Sequence, residues 1–405
     1  MTAWLISGVR VWDGRGDAYL PDVDAVRIEG ERIAAVGRSG ELGAGATDLA
    51  LPGAHLIPGL IDAHVHLGID PSISDPEAQL RVPEAEQERG MRERCAAMLR
   101  AGITTARDLG GPCWREVDLR ERIARGELPG PRLLCAGQPL TTPRGHCWFW
   151  GGEVANREQM RAAVARQVEH GVDWIKAIAT GGLVTRGTRP DRPQFSAREL
   201  RALVREAAAH GRPVAAHCHG TAGIRRAAAA GVRSVEHCSF AGSEGFGSDY
   251  APSVVRRLAK AGCWVSPTVN AGWGRFFGPD GESKPFAQRM NRVYRGLREA
   301  GVPLVASTDA GIPGVAHDRL PQALPVFARI AGLSAAETLR TATSESAAAL
   351  GLAERGEILP GRAADLIALD ADPLRDLRAL EKPRSVWARG RRFDVEPGLS
   401  VSESA

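Results

Sequence analysis

Residues able to do chemistry gather at the ends of apolar runs in this chain. Leu60-Ile61-Asp62-Ala63 leads into His64-Val65-His66. Residues two apart on a β-strand face the same side, so both imidazoles can reach one cation at about 2.0–2.1 Å. A single H-x-H also arises from packed or capping histidines. Here the arrangement recurs. Val214-Ala215-Ala216 ends in His217-Cys218-His219, Ser234-Val235-Glu236 ends in His237, and Asp309 follows Leu304-Val305-Ala306-Ser307-Thr308. Imidazoles and a carboxylate at matched positions are the donor set of a divalent metal site, and such a site with an open position activates water.

Lys176 lies in the apolar run Asp173-Trp174-Ile175-Lys176-Ala177-Ile178, where a charged ammonium is costly to bury unpaired. Such a lysine can snorkel to a rim or pair with a carboxylate. It can also react. Desolvation lowers its pKa, and a neutral amine adds CO₂ to become a carbamate with one oxygen for each of two cations.

Bringing these groups to one point demands a particular arrangement of elements. Apolar, β-branched runs near 60–66, 103–108, 132–136, 174–179, 213–217, 232–236, 263–267 and 303–307 alternate with amphipathic segments. That alternation predicts a parallel sheet, and eight repeats favour closure into a (β/α)₈ TIM-like barrel, whose strand C-termini share one rim. Capping-box spacings at Asn156/Gln159, Ser196/Glu199 and Ser334/Glu337 predict helix starts, and Gly171 and Gly211 predict helix ends. Short strands separated by Gly, Asp and Pro mark both termini. The expected organisation is a small β-sandwich from residues 1–57 and 355–405 around a barrel of 58–354.

Bulk properties exclude several classes. The 405 residues are 43% hydrophobic and 25% charged, with 52 basic against 48 acidic side chains, so the net charge of +4 gives no basic footprint for nucleic acid. Seven cysteines without a C-x-x-C pair suggest neither a disulfide framework nor a zinc ribbon, and they fit reduced thiols in a cytoplasmic protein. The start MTAWLISGVRVWDG does not read as a signal peptide, and no 18-residue apolar stretch predicts a membrane span. Phosphate-binding G-x-x-x-x-G-K-[ST] and G-x-G-x-x-G loops and the G-x-S-x-G elbow are missing from the sequence.

The runs PGLIDAHVH at 58–66, WIKAIATGG at 174–182, GTRPDRPQFSARELRALV at 187–204, VAAHCHG at 214–220, SVEHCSF at 234–240 and STDAG at 307–311 come in a specific order. Together they resemble the amidohydrolase superfamily, and within it the imidazolonepropionase-like and Xaa-Pro dipeptidase-like branch. The tail GEILPGRAADLIALDADPL at 356–374 is similar to the returning strand of that family's β-sandwich. The resemblance implies a binuclear enzyme. His64, His66 and Asp309 would hold one metal, His217 and His237 the second, and carbamylated Lys176 would bridge them. His217 matches the family's strand-five ligand, which leaves His219 to line the substrate pocket. The family's GGH-type run corresponds to Arg144-Gly145-His146-Cys147, so His146 is expected to touch substrate. Arg144 departs from the family's glycine, and Cys218 and Cys238 stand where small residues are usual.

The expected reaction is hydrolysis of an amide C–N bond in a dipeptide or N-acyl amino acid. A metal-bridging hydroxide would attack, with Asp309 as general base and then acid. Zinc is the default metal for such donors, with manganese or iron also compatible. Trp148, Phe149 and Trp150 could wall an apolar pocket, and Trp273, Phe276 and Phe277 could form a lid. Arg186 and Arg189 could clamp a substrate carboxylate. The alternatives are hydrolysis of a cyclic amide such as an imidazolone or hydantoin, of a lactone or carbamate, or mononuclear deaminase chemistry, which needs no bridging lysine. The expected partners are a small-molecule substrate and further copies of the chain in a homo-oligomer, with neither nucleic acid nor membrane.

Overall fold

The computed structural model describes residues 3–43, 45–75 and 77–393. The outermost parts of the expected sandwich segments, 1–2 and 394–405, lie outside the described residues.

Seven parallel strands form the middle of the chain: β1 (Leu60–Val65), β2 (Ile103–Asp108), β3 (Arg132–Cys135), β4 (Ile175–Ile178), β5 (Val214–Gly220), β6 (Ser234–Ala241) and β7 (Trp264–Ser266). They pair as β1-β2-β3 and β4-β5-β6-β7. The two sheets join where Leu140, beyond β3, donates to the Lys176 carbonyl and accepts from Ile178, both at 2.8 Å. This is a TIM-barrel α/β fold.

The expected eighth strand, 303–307, is not a regular strand. It contributes isolated parallel bridges, Leu304 to Val265 and Ala310 to Val65. Side chains explain the interruption. Asp62 takes the Thr308 N–H at 3.2 Å and the Thr308 hydroxyl at 2.6 Å, and Ser307 Oγ takes the Thr268 N–H at 2.9 Å. The segment still completes the ring, because Ala63 donates to Ala306 at 3.1 Å and Asp309 donates to the His64 carbonyl at 2.9 Å.

The helices obey their end signals. Ser196 and Ser334 make full capping boxes with Glu199 and Glu337, and Asn156 accepts from the Gln159 N–H. Gly171 and Gly211 take φ of +77° and +67°, the left-handed turn that ends a helix without a Cβ penalty. Pro252 and Pro285 open two further helices, where a missing N–H costs nothing.

Both ends of the chain form sheets around a separate core of Ile6, Val26, Ile28, Ile33, Leu56, Leu366 and Trp387. One sheet comes wholly from the N-terminal segment; the other interleaves Pro383–Ala388 and Leu366–Leu369 with His55–Pro58. A single residue, Gly59, separates the strand His55–Pro58 from β1. Its N–H donates to the Asp365 carbonyl at 2.8 Å, and a Cβ there would run into Thr104. Among the described residues no helix is long and apolar enough to cross a membrane.

Candidate metal centre

The ends of β1, β5 and β6 and the segment after Thr308 meet at one rim. His64 Nε2, His66 Nε2 and Asp309 Oδ1 face one another: 3.3 Å between the imidazoles, and 3.2 and 3.4 Å from them to the carboxylate. The edge of a tetrahedron with metal–ligand bonds near 2.1 Å is roughly 3.4 Å. The other ring nitrogens fix the tautomers. His64 Nδ1 donates to Glu236 Oε2 at 2.9 Å, and His66 Nδ1 donates to the Gly110 carbonyl at 2.6 Å. Two imidazole lone pairs and a carboxylate oxygen therefore converge with no proton among them, and a cation is the species that satisfies all three. The residues present fit a divalent metal.

A second group holds His217, His219 and His237, whose ligand atoms lie within 4.8 Å of one another. His217 Nε2 donates to the Gly181 carbonyl at 3.1 Å, which leaves its Nδ1 lone pair free. His219 Nδ1 meets Ser239 Oγ and His237 Nδ1 meets Thr268 Oγ1, each at 2.9 Å. The geometry brings His217 and His219 to the same place rather than separating them, with ring centroids 4.7 Å apart. The two groups adjoin: His237 Nδ1 is 4.0 Å from Asp309 Oδ2, and the His64 and His237 centroids are 5.2 Å apart.

Local backbone explains the aim of two of these residues. His237 and Asp309 both adopt left-handed φ, +66° and +61°. This region is costly for a residue with a Cβ and recurs at functional sites. The kink in β6 breaks the alternation of the strand, so Glu236 and the adjacent His237 both reach His64.

Lys176 is buried, with Nζ 3.5 Å from His64 Nε2. Burial lowers its pKa to about 8, against the opposing charges of Glu236 and Asp309. For Asp309, burial acts upward, but the facing imidazoles of His64, His66 and His237 hold the carboxyl well below its usual range. Burial and neighbouring imidazoles drive His217 and His237 well down, toward neutral rings.

The other expected site residues divide. His146 is buried beside His217, with centroids 4.8 Å apart and an Nδ1 that has no partner among the described residues. Burial lowers its pKa to about 3, so the ring is neutral. Gln194 holds its loop by accepting the His146 N–H at 2.6 Å. Trp148 is 37% exposed and packs on Phe149 instead of on the histidines; Trp150 is the tryptophan against His66, at 5.5 Å. Arg186 is exposed and has no ion-pair partner among the described residues, whereas Arg189 already forms a two-point pair with Asp191 at 3.0 and 2.9 Å. His219 is sandwiched between His237 and Phe246, at 4.5 and 4.8 Å. Phe246 continues into Phe286, which also receives Trp273 and Phe276. Phe277 instead lies against the Arg329 guanidinium.

Sequence reasoning passed over Glu236, Arg107 and Phe246. The signal for the first two was an arginine and a glutamate inside apolar strands, ITTARD and SVEHCSF, the same anomaly that singled out Lys176.

Residues 55–392 match the family model described as "Amidohydrolase family". The chain is 29% identical over 377 residues to the ochratoxinase of Aspergillus niger, covering 85% of this chain and 76% of that protein. It is 27% identical over 368 residues to the imidazolonepropionase of Deinococcus deserti, covering 84% and 85%. A crystal structure of a Xaa-Pro dipeptidase with methionine bound in its active site matches with a TM-score of 0.83 and 26% identity, over 97% of this chain and 100% of that one.

Proposed function

The chain belongs to the amidohydrolase family, and from that membership we propose that it is a binuclear metal-dependent hydrolase cleaving the amide bond of a dipeptide or N-acyl amino acid. The observation that carries this reading is the pair of adjoining donor groups, His64/His66/Asp309 and His217/His219/His237, with Lys176 buried beside the first. In this reading His217 and His237 would hold the second metal, Lys176 as its carbamate would serve both, and His219 would face substrate. The sheets at the two chain ends are read as one small β-sandwich domain, which their separate core supports.

Two divalent ions, zinc by the chemistry of the donors, would supply an activated water nucleophile and polarise the scissile carbonyl. Asp309 directs Oδ1 to His64 and His66, and its Oδ2, 4.0 Å from His237, is the atom to take a proton and pass it to the leaving nitrogen. Neutral His146, buried beside His217, is the side chain read as hydrogen-bonding the carbonyl oxygen as charge develops there. Trp150 against His66 and Phe246 against His219 give the site apolar walls, which suit a substrate with an apolar side. The named relatives include an imidazolonepropionase, so the discriminating assay sets dipeptides and N-acyl amino acids against cyclic ureas, imides and esters, using metal-loaded protein. Turnover of the linear amides is expected, with metal content near two per chain; activity confined to the other classes would overturn the reading.

A further inference from the structure

Beneath His64 lies an ion pair that the hydrolytic steps do not use. Arg107, on β2, and Glu236, on β6, are 1% and 0% exposed. The Arg107 guanidinium donates to the Ala63 carbonyl at 2.7 Å, to Ser234 Oγ at 2.9 Å and to Glu236 Oε1 at 2.9 Å, and it lies 4.5 Å over the Trp174 ring. One side chain thus ties β2 to β1 and β6 and packs on the residue that leads into β4. Glu236 turns its second oxygen, Oε2, to His64 Nδ1 at 2.9 Å. Removing two charges from water is expensive. The arrangement matters for what it does to His64. A carboxylate whose one oxygen accepts from both Arg107 and Ser234 has its other oxygen fixed in direction, and an imidazole facing it must carry its proton on Nδ1.

We propose that Arg107 and Glu236 are positioning residues for the metal site of His64, His66 and Asp309: Arg107 aims the Glu236 carboxylate, which holds His64 as the tautomer with a free Nε2. The inference rests on the metal-centre reading above. It extends that reading by assigning the Arg107–Glu236 pair to one metal site and not to the other, because the rings of the second group are held by the Gly181 carbonyl and the Ser239 and Thr268 hydroxyls.

Glu236→Gln makes the test. Three donors, on Arg107, Ser234 and His64, converge on the two carboxylate oxygens, and an amide offers only one oxygen. With that oxygen kept by Arg107, the NH₂ group faces His64 Nδ1. The ring must then accept there and carry its proton on Nε2, pointing into the donor group. Cobalt(II) titration of metal-free protein should show one site weakened by roughly 10- to 100-fold, the range for losing such a partner, and the other site unchanged. Nitrogen-15 spectra of histidine-labelled, metal-free protein should show one of the ten histidines moved from the Nδ1–H to the Nε2–H form. Arg107→Lys keeps the charge but loses the fork, so it should weaken the same site to a smaller extent; it carries the test should Glu236→Gln not fold. A purely structural role would lower thermal stability and weaken both sites alike, with His64 still protonated on Nδ1. That result, or two sites of wild-type affinity in both variants, overturns the inference. Wild-type protein that binds no cobalt at His64 would instead overturn the metal-centre reading itself.

Discussion

Lys176 Nζ lies 3.5 Å from His64 Nε2, though the residues are 112 positions apart in sequence. An ammonium and an imidazolium repel, so burial and the Lys176 charge keep His64 neutral, while burial lowers the lysine to about 8. This contact brings the buried amine up to the donor group.

Lys176→Ala should lose bound metal and activity together, as measured by elemental analysis and amide turnover on the same preparation. Retention of two metals per chain would show that the lysine is not a bridging group.

The pH dependence follows from the same group. With a pKa of about 8, about a quarter of the amine is neutral at pH 7.5, against about one in a thousand for an ordinary lysine. The reactive form is gained as pH rises, so metal uptake by metal-free protein should speed up between pH 7 and 9 and respond to added bicarbonate. The stability sign agrees. Below pH 8 the lysine is charged in both folded and unfolded chains. Between pH 8 and 10.5 the folded chain releases its proton first, so stability rises through that window. Melts of metal-free wild type minus those of Lys176→Met should show this rise; a flat difference would refute it.

His217→Ala should remove one metal per chain, and His219→Ala should keep both while lowering kcat/KM. The two rings share one group in space, so elemental analysis of both variants decides between them. The opposite pattern would exchange their roles.

Gly182→Ala isolates His146. A Cβ at Gly182 would collide with the His146 imidazole. The added methyl should displace that ring, lowering kcat/KM by about 10- to 100-fold at a stability cost of about 1–3 kcal/mol. Metal content should be unchanged. A simultaneous loss of metal would mean that the loop supports the donor groups as well.

Arg189→Ala should change KM by less than about twofold, since its guanidinium is spent on an exposed pair with Asp191, an interaction typically worth under about 1 kcal/mol. A large rise in KM would restore the carboxylate-clamp role expected from sequence.

Much of this was legible in the sequence because it depended on local rules. H-x-H on a strand, capping serines three residues before glutamates, and strand–helix alternation each state their geometry in a few residues. The illegible parts were decided by distant contacts. Whether Trp148 or Trp150 faced the histidines depended on left-handed turns at Arg144 and Cys147, which nothing in the run PRGHCWFW specifies. The run 303–307 read as a strand, but Asp62, 246 residues away, takes the backbone and side chain of Thr308. Arg107 looked like one arginine among many until Glu236 and Ala63 were seen to receive it.

Gly59 has a consequence for the whole centre. Side chains on β1 alternate with a period of two, and only one residue separates that strand from the strand His55–Pro58. A slip of one position in the outer sheet would carry through this short link and present Val65 where His64 and His66 now stand. The paired ends of the chain therefore act as a gauge block for the rim that carries the donor groups, and damage to the returning strand Leu366–Leu369, about 300 residues from His64 along the chain, should disturb the aim of His64 and His66.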